Sequence, residues 1–198
     1  MKVIGGIFGA IAVILITPFI ILNFLAGIIG GIWLLILGEW SLVFFSIIAS
    51  IILPMIFGIV LLPTLPLAYL MDLFYRKKRI FLMNIFAWIN LSFVQIVMII
   101  WTHIVFISML ILSEEVNIIP YFLMGYAVAT GPIAYMAKQE GPDATGSYAG
   151  VLLVQVSYII FVVFYFLNIL PYALPIIFLL ALLMAGFLMG VANIQIKR

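Results

Sequence analysis

The chain has 198 residues, 69% hydrophobic and 7% charged, with no cysteine and a formal net charge of +2. Soluble domains carry about 25% charged residues, so this composition excludes an ordinary soluble domain. The lack of cysteine excludes disulfides, thiolate nucleophiles and thiolate metal sites. With a mean hydropathy of +1.48 and several uncharged runs exceeding the ~20 apolar residues that cross a bilayer core, the sequence reads as all-α. It is expected to be a polytopic integral membrane protein, residues 1–198 forming a single transmembrane helical domain with no soluble domain.

In chain order, the first run, residues 3–38, carries no charge and ends at Glu39. As one helix it would be roughly 54 Å long against a core of about 30 Å. Either an interruption, with Pro18, Asn23 or the Gly27, Gly30, Gly31 cluster as candidate breaks, or an extension beyond the bilayer is therefore expected, and the favoured reading has residues 3–24 crossing and 26–37 continuing outward or lying at the interface. The second run, residues 42–71, contains Pro54, Pro63 and Pro66. These predict a kinked or broken second half and form a candidate hinge. Then comes the charged island Asp72-Leu73-Phe74-Tyr75-Arg76-Lys77-Lys78-Arg79, which must face water. Residues 80–113, 116–137, 144–168 and 172–196 supply four further crossings, the second of these interrupted by Thr130-Gly131-Pro132.

Cytoplasmic loops collect Lys and Arg. Six crossings with both termini cytoplasmic place Lys2, the Arg76 to Arg79 island, Lys138, Lys197 and Arg198 on one side. Glu39, Glu114 and Glu115 then face the other. Seven crossings with the amino terminus outside misplace Lys2 alone, but fit the run lengths less well. Aromatic belts are expected from Trp40, Tyr121, Tyr165 and Tyr172 outside, and Tyr69, Tyr75, Tyr135 and Tyr148 inside. The basic clusters thus read as topology signals and exclude a nucleic-acid footprint. Arg76, Lys77, Lys78 and Arg79, beside Phe74 and Tyr75, are also candidates for contact with anionic lipid headgroups.

No charged residue falls in the middle of a crossing, which disfavours ion-coupled carriers, since these place ionisable groups in the membrane. The candidate site residues are polar but uncharged. Asn84, Gln95 and Thr102 fall within ~20° of one face of the helix at 100° per residue, with Ser92 and His103 flanking them. Gln155 sits near mid-depth of its own crossing, at a depth similar to that of Gln95. These residues form either hydrogen-bonded contacts between helices or the wall of a narrow substrate path. His103, the single histidine, makes no metal site alone; it reads as a satisfied imidazole or a pH-sensitive group. The pairs Gly5 and Gly9, Gly27 and Gly31, and Gly186 and Gly190 suggest close packing of the first and last helices.

No nucleophile elbow, HExxH sequence or phosphate-cradling loop is present, so an enzyme is disfavoured. No cofactor and no metal are expected. The sequence points to a small oligomeric channel or facilitator with a weakly polar intramembrane path. The alternative is a non-catalytic subunit that anchors or scaffolds a larger membrane complex. The expected partners are the lipid bilayer and either further copies of the chain or another membrane protein. The expected location is a cytoplasmic membrane of prokaryotic type.

Overall fold

The structure, a computed structural model, describes residues 2–113, 117–140 and 145–196, with side chains described for 17–53, 55–56, 58–113, 117–134 and 150–185. It is all-α, and no strand occurs among the described residues. The helices are α1 (Lys2–Ile36), α2 (Trp40–Val60), α3 (Thr64–Arg76), α4 (Ile80–Leu112), α5 (Ile118–Glu140), α6 (Thr145–Phe166) and α7 (Ala173–Ile196), the last entered through a 3₁₀ turn at Leu170–Tyr172. Two described segments, Thr17–Ile36 and Ile80–Leu112, are long and apolar enough to cross a membrane. Four others, Trp40–Leu53, Ile118–Ala134, Gly150–Phe166 and Leu170–Ala185, are shorter apolar helical stretches.

Helix ends follow local chemistry. Proline has no N–H to continue an α-helical ladder, and α2 stops three residues before Pro63, which caps the start of α3. Leu62 N–H bonds the Ile59 carbonyl at 3.1 Å, and the Thr64 hydroxyl closes onto the Leu61 carbonyl at 2.6 Å. Pro66 and Pro120 sit in the first turns of α3 and α5, where an amide lacks an intrahelical partner anyway. Pro18 and Pro132 lie inside α1 and α5 without ending them. Three helices end in one motif, a left-handed residue whose successor donates back across the last turn. It occurs at Gly38 after α1, Lys78 after α3 and Asn168 after α6.

The first run differs from its expected reading. α1 is continuous through Asn23 and the glycines, and residues 26–36 lie within the bundle. The glycine face is the reason, because it turns towards α5. A Cβ on Gly30 would come within 2.9 Å of the Met124 amide nitrogen and 3.1 Å of the Pro120 carbonyl, while one on Gly27 would meet the Ala127 Cβ at 3.2 Å. Small residues at such a seam let two backbones approach closely. Within the chain α1 packs on α5, α6 and α2, and makes no contact with α7 among the described residues. Gly5, Gly9, Gly186 and Gly190 fall outside the residues with described side chains, as do Pro54, Lys138, Tyr135 and Tyr148.

Helices α4, α5 and α6 contact one another and form the centre. Around them, α1 rests on α5 and α6, α2 on α5 and α1, and α7 on α4 and α6. The shared core is aromatic. Phe106 stacks on Phe122 and Phe161 with centroids 5.2 and 5.3 Å apart, and meets Tyr158 edge-on at 6.0 Å. Such pairs add about 0.5–1.5 kcal/mol each beyond the area they bury. Tyr121, expected in an interfacial belt, is instead buried, and Tyr165 packs edge-on against Phe122 at 5.5 Å. Trp40, Tyr172, Tyr69 and Tyr75 are exposed.

α3 contacts α4 alone among the described residues and buries none of its own side chains. Phe74 stacks on Phe86 at 5.3 Å across this antiparallel hairpin. The outer faces are apolar: Phe45 and Met55 are 72% exposed and Phe81 77%.

Three stability outcomes follow, each measurable as a melting temperature in detergent. Gly30→Ala forces the α1–α5 backbones apart and costs about 1–3 kcal/mol. Gly58→Ala, where a Cβ meets nothing within 4 Å, is neutral or slightly stabilising. Lys78→Gly, at a φ of 54°, stabilises the chain by about 1 kcal/mol, because glycine adopts the left-handed region without a Cβ clash.

Candidate functional site

The seam between α1 and α5 carries a polar knot. The Asn23 side-chain amide donates to the Ala127 carbonyl at 3.2 Å, to the Tyr126 carbonyl at 3.4 Å and to the Thr130 hydroxyl. Thr130 in turn donates to the Tyr126 carbonyl at 2.7 Å. Buried polar groups cost several kcal/mol without such partners, so this knot holds the register that Gly27 and Gly30 permit.

α2 follows α1 through a three-residue turn and leans on α5 less closely. The space left between the three helices is a cleft of about 460 Å³. Its walls are mainly apolar, with Phe24, Ile28, Val43 and Ile47 among them, and no charged residue lines it. Asn23, Ser46 and Ser50 supply the side-chain polarity. The Ser50 hydroxyl donates to the Ser46 carbonyl at 2.9 Å. Ser46 is 5% exposed, and its own hydroxyl has no partner among the described residues. Val128 and Pro132 line the same cleft. Because proline has no N–H, the Val128 carbonyl lacks its usual donor four residues on.

The residues expected to line a path lie on the other side of α5, in packed interior. Thr102 is fully buried and donates its hydroxyl back to the Met98 carbonyl at 2.8 Å. Gln155 is fully buried and accepts a hydrogen bond from the Tyr126 hydroxyl, which joins α6 to α5. Gln95 is buried with Oε1 unpartnered, as are Nε2 of Gln155 and Nδ1 of His103, so the two glutamines do not bond one another through these atoms.

Their depths differ as well. Trp101 donates to the Ala129 carbonyl at 3.3 Å, which levels Trp101 with Ala129. Gln95 lies about 9 Å below that level along α4, whereas Gln155 meets Tyr126, three residues to the other side. His103 rests its ring on Phe161 at 5.0 Å. Asn84 is half-buried on α4. Pro63 and Pro66 are exposed at the α2–α3 break.

Arg76, Lys77, Lys78 and Arg79 are all exposed. Arg76 pairs with Asp72 at 2.8 Å, the one ion pair among the described residues. Among those residues, no three His, Asp or Glu side chains converge on a point.

The cleft residues were legible only as disturbances in the apolar pattern. Asn23, Gly27 and Gly31, at intervals of four, form one face of α1. Ser46 and Ser50 do the same on α2. Those stripes signal a polar seam, but their spacing alone does not say which helix meets them.

Tyr126→Phe strips Gln155 of its described partner and lowers stability by about 0.6–2 kcal/mol. Tyr126→Phe combined with Gln155→Leu recovers part of that loss, because no buried amide is left unpaired. Detergent unfolding of the single and double variants measures this coupling. Comparison with family models, with characterised proteins and with solved structures found no match for this chain.

Proposed function

We propose that the chain is a six-span integral membrane protein, with both termini cytoplasmic, that acts as a facilitator for an uncharged, largely apolar solute. Its weakly polar path begins in the cleft between α1, α2 and α5. The single observation that carries this reading is that uncharged cleft, to which all three helices contribute apolar wall and α1 and α2 add Asn23, Ser46 and Ser50. The lining argues against ions, because nothing in it replaces a hydration shell or neutralises a charge. The volume falls within the ~300–1,000 Å³ of ordinary small-molecule sites. The extensive exposed apolar surface of α2 and α4 supports immersion in lipid. The basic turn at Arg76 to Arg79 supports a cytoplasmic position for the α3–α4 hairpin.

A second reading, a non-catalytic subunit of a larger membrane complex, is favoured by α3. This helix packs on a single neighbour, exposes Leu65 and Tyr69, and buries nothing. Oligomeric assembly belongs to either reading.

Because the chain has no cysteine, single-cysteine variants need no prior background substitutions. In sealed vesicles of known orientation, Glu39→Cys, Asn117→Cys and Asn168→Cys react with an impermeant maleimide from one side and Lys78→Cys from the other. Reaction of all four from the same side ends the six-span arrangement. In proteoliposomes the chain accelerates equilibration of uncharged, largely apolar solutes such as short-chain alcohols, but not of potassium or chloride. Ser50→Trp, which fills the cleft, returns the rate towards that of protein-free liposomes. A wild-type chain that accelerates no solute refutes the facilitator, and co-purification of a stoichiometric partner then selects the subunit reading.

A further inference from the structure

The polar groups of the cleft are chemically matched to one kind of ligand. On α2 the Ser46 residue is buried and lines the cleft, and its hydroxyl makes no hydrogen bond among the described residues, so it has a proton to donate. On α5 the Val128 carbonyl is an acceptor. A helical carbonyl points at the amide four residues on; here that position is Pro132, which has no N–H, and both residues line the cleft. The cleft therefore offers the Ser46 donor together with acceptors at the Val128 carbonyl and Asn23 Oδ1, set in walls built from Phe24, Ile28, Val43 and Ile47. Asn23 adds no second donor, because its amide protons are committed to Tyr126, Ala127 and Thr130.

A hydroxyl is the smallest neutral group that both accepts and donates a hydrogen bond, and it brings less polar surface to desolvate than an amide or a protonated carboxyl. A carboxylate, phosphate or ammonium group would enter the cleft without a counter-charge, which is costly at low dielectric. An ether or ester could take the serine proton but would leave the Val128 carbonyl unpaired. A hydrocarbon would leave both groups unpaired.

We infer that the cleft between α1, α2 and α5 binds an uncharged apolar molecule through a single hydroxyl group, which accepts from Ser46 and donates to the Val128 carbonyl. The inference rests on the reading of the cleft as the solute's route, and names the class of solute. Pro132 is then a binding determinant through the hydrogen bond it withholds, and its role is separate from any bend it gives α5.

The test uses the full chain in proteoliposomes with three photoreactive probes of equal length: a diazirine-bearing long-chain alkanol, its methyl ether and the matching alkane. The expected result is that the alkanol labels residues 43–50 and 124–132 in preference to the other two, and that unlabelled alkanol competes. Ser46→Ala lowers alkanol labelling by about five-fold, the loss of one hydrogen bond. Pro132→Ala restores an amide donor to Val128, lowers alkanol labelling similarly and abolishes the preference for alkanol over ether. Ser46→Ala removes one oxygen and Pro132→Ala favours helix, so both variants fold; an unchanged melting temperature verifies this.

Equal labelling by all three probes overturns the inference, as does alkanol labelling insensitive to both substitutions. Solute flux measured on the same liposomes separates the two claims. Flux without hydroxyl preference overturns the ligand class alone. Selective alkanol labelling without flux supports the site and refutes the facilitator.

Discussion

The close approach of α1 to α5 at Gly30 is the constraint from which the rest of the arrangement follows. With no side chain between them, the Gly30 backbone lies against the Met124 amide and Pro120 carbonyl. This approach brings Asn23 within reach of Thr130 two turns away, and the resulting hydrogen bonds lock the antiparallel register. Tied to α1 by a short turn, α2 must run beside the same seam. Its Val43 and Ile47 side chains keep it further from α5 than α1 lies. Two helices packed backbone to backbone, with a third held off by its side chains, leave a cleft as a geometric consequence.

α5 therefore has two distinct faces. At 100° per residue, Phe122, Gly125, Tyr126 and Ala129 turn towards α4 and α6, while Leu123, Met124, Ala127, Val128 and Gly131 turn towards α1 and α2. On the first face the interior is filled. The Tyr158 hydroxyl reaches the Phe122 carbonyl at 3.1 Å across space that a side chain at Gly125 would occupy, since a Cβ there would also sit 2.7 Å from Cγ of Met109. On the second face the packing is incomplete. The contrast explains why the most polar residues of the chain, on α4 and α6, do not mark its open volume. They are spent on contacts inside the tightly packed face, or are buried there with an unpaired atom.

The helices were legible because uncharged apolar runs, interrupted by proline and closed by polar residues, admit little else. α4, α6 and α7 begin and end within a few residues of the expected bounds. The division of the second run at Pro63 follows from proline chemistry alone. The continuity of α1 was not legible, because glycine and asparagine within an apolar run serve equally as breakers and as contact residues. Which role they take depends on whether another helix arrives opposite them. Tyr121 shows the same limit: its sequence position suited an interfacial belt, but α5 turns it inward.

An all-helical apolar chain, the site of its main break and the isolation of charge at Arg76 to Arg79 follow from residue order alone, because these depend on backbone chemistry and the cost of burying charge. Which polar residues face one another, and where space remains, is set by how the helices pack. Asn23 meeting Thr130, Tyr126 meeting Gln155, and Ser46 sharing a cleft with Val128 are relations between separate helices. They are set by how closely two backbones can approach, and no periodicity within a single helix encodes that distance.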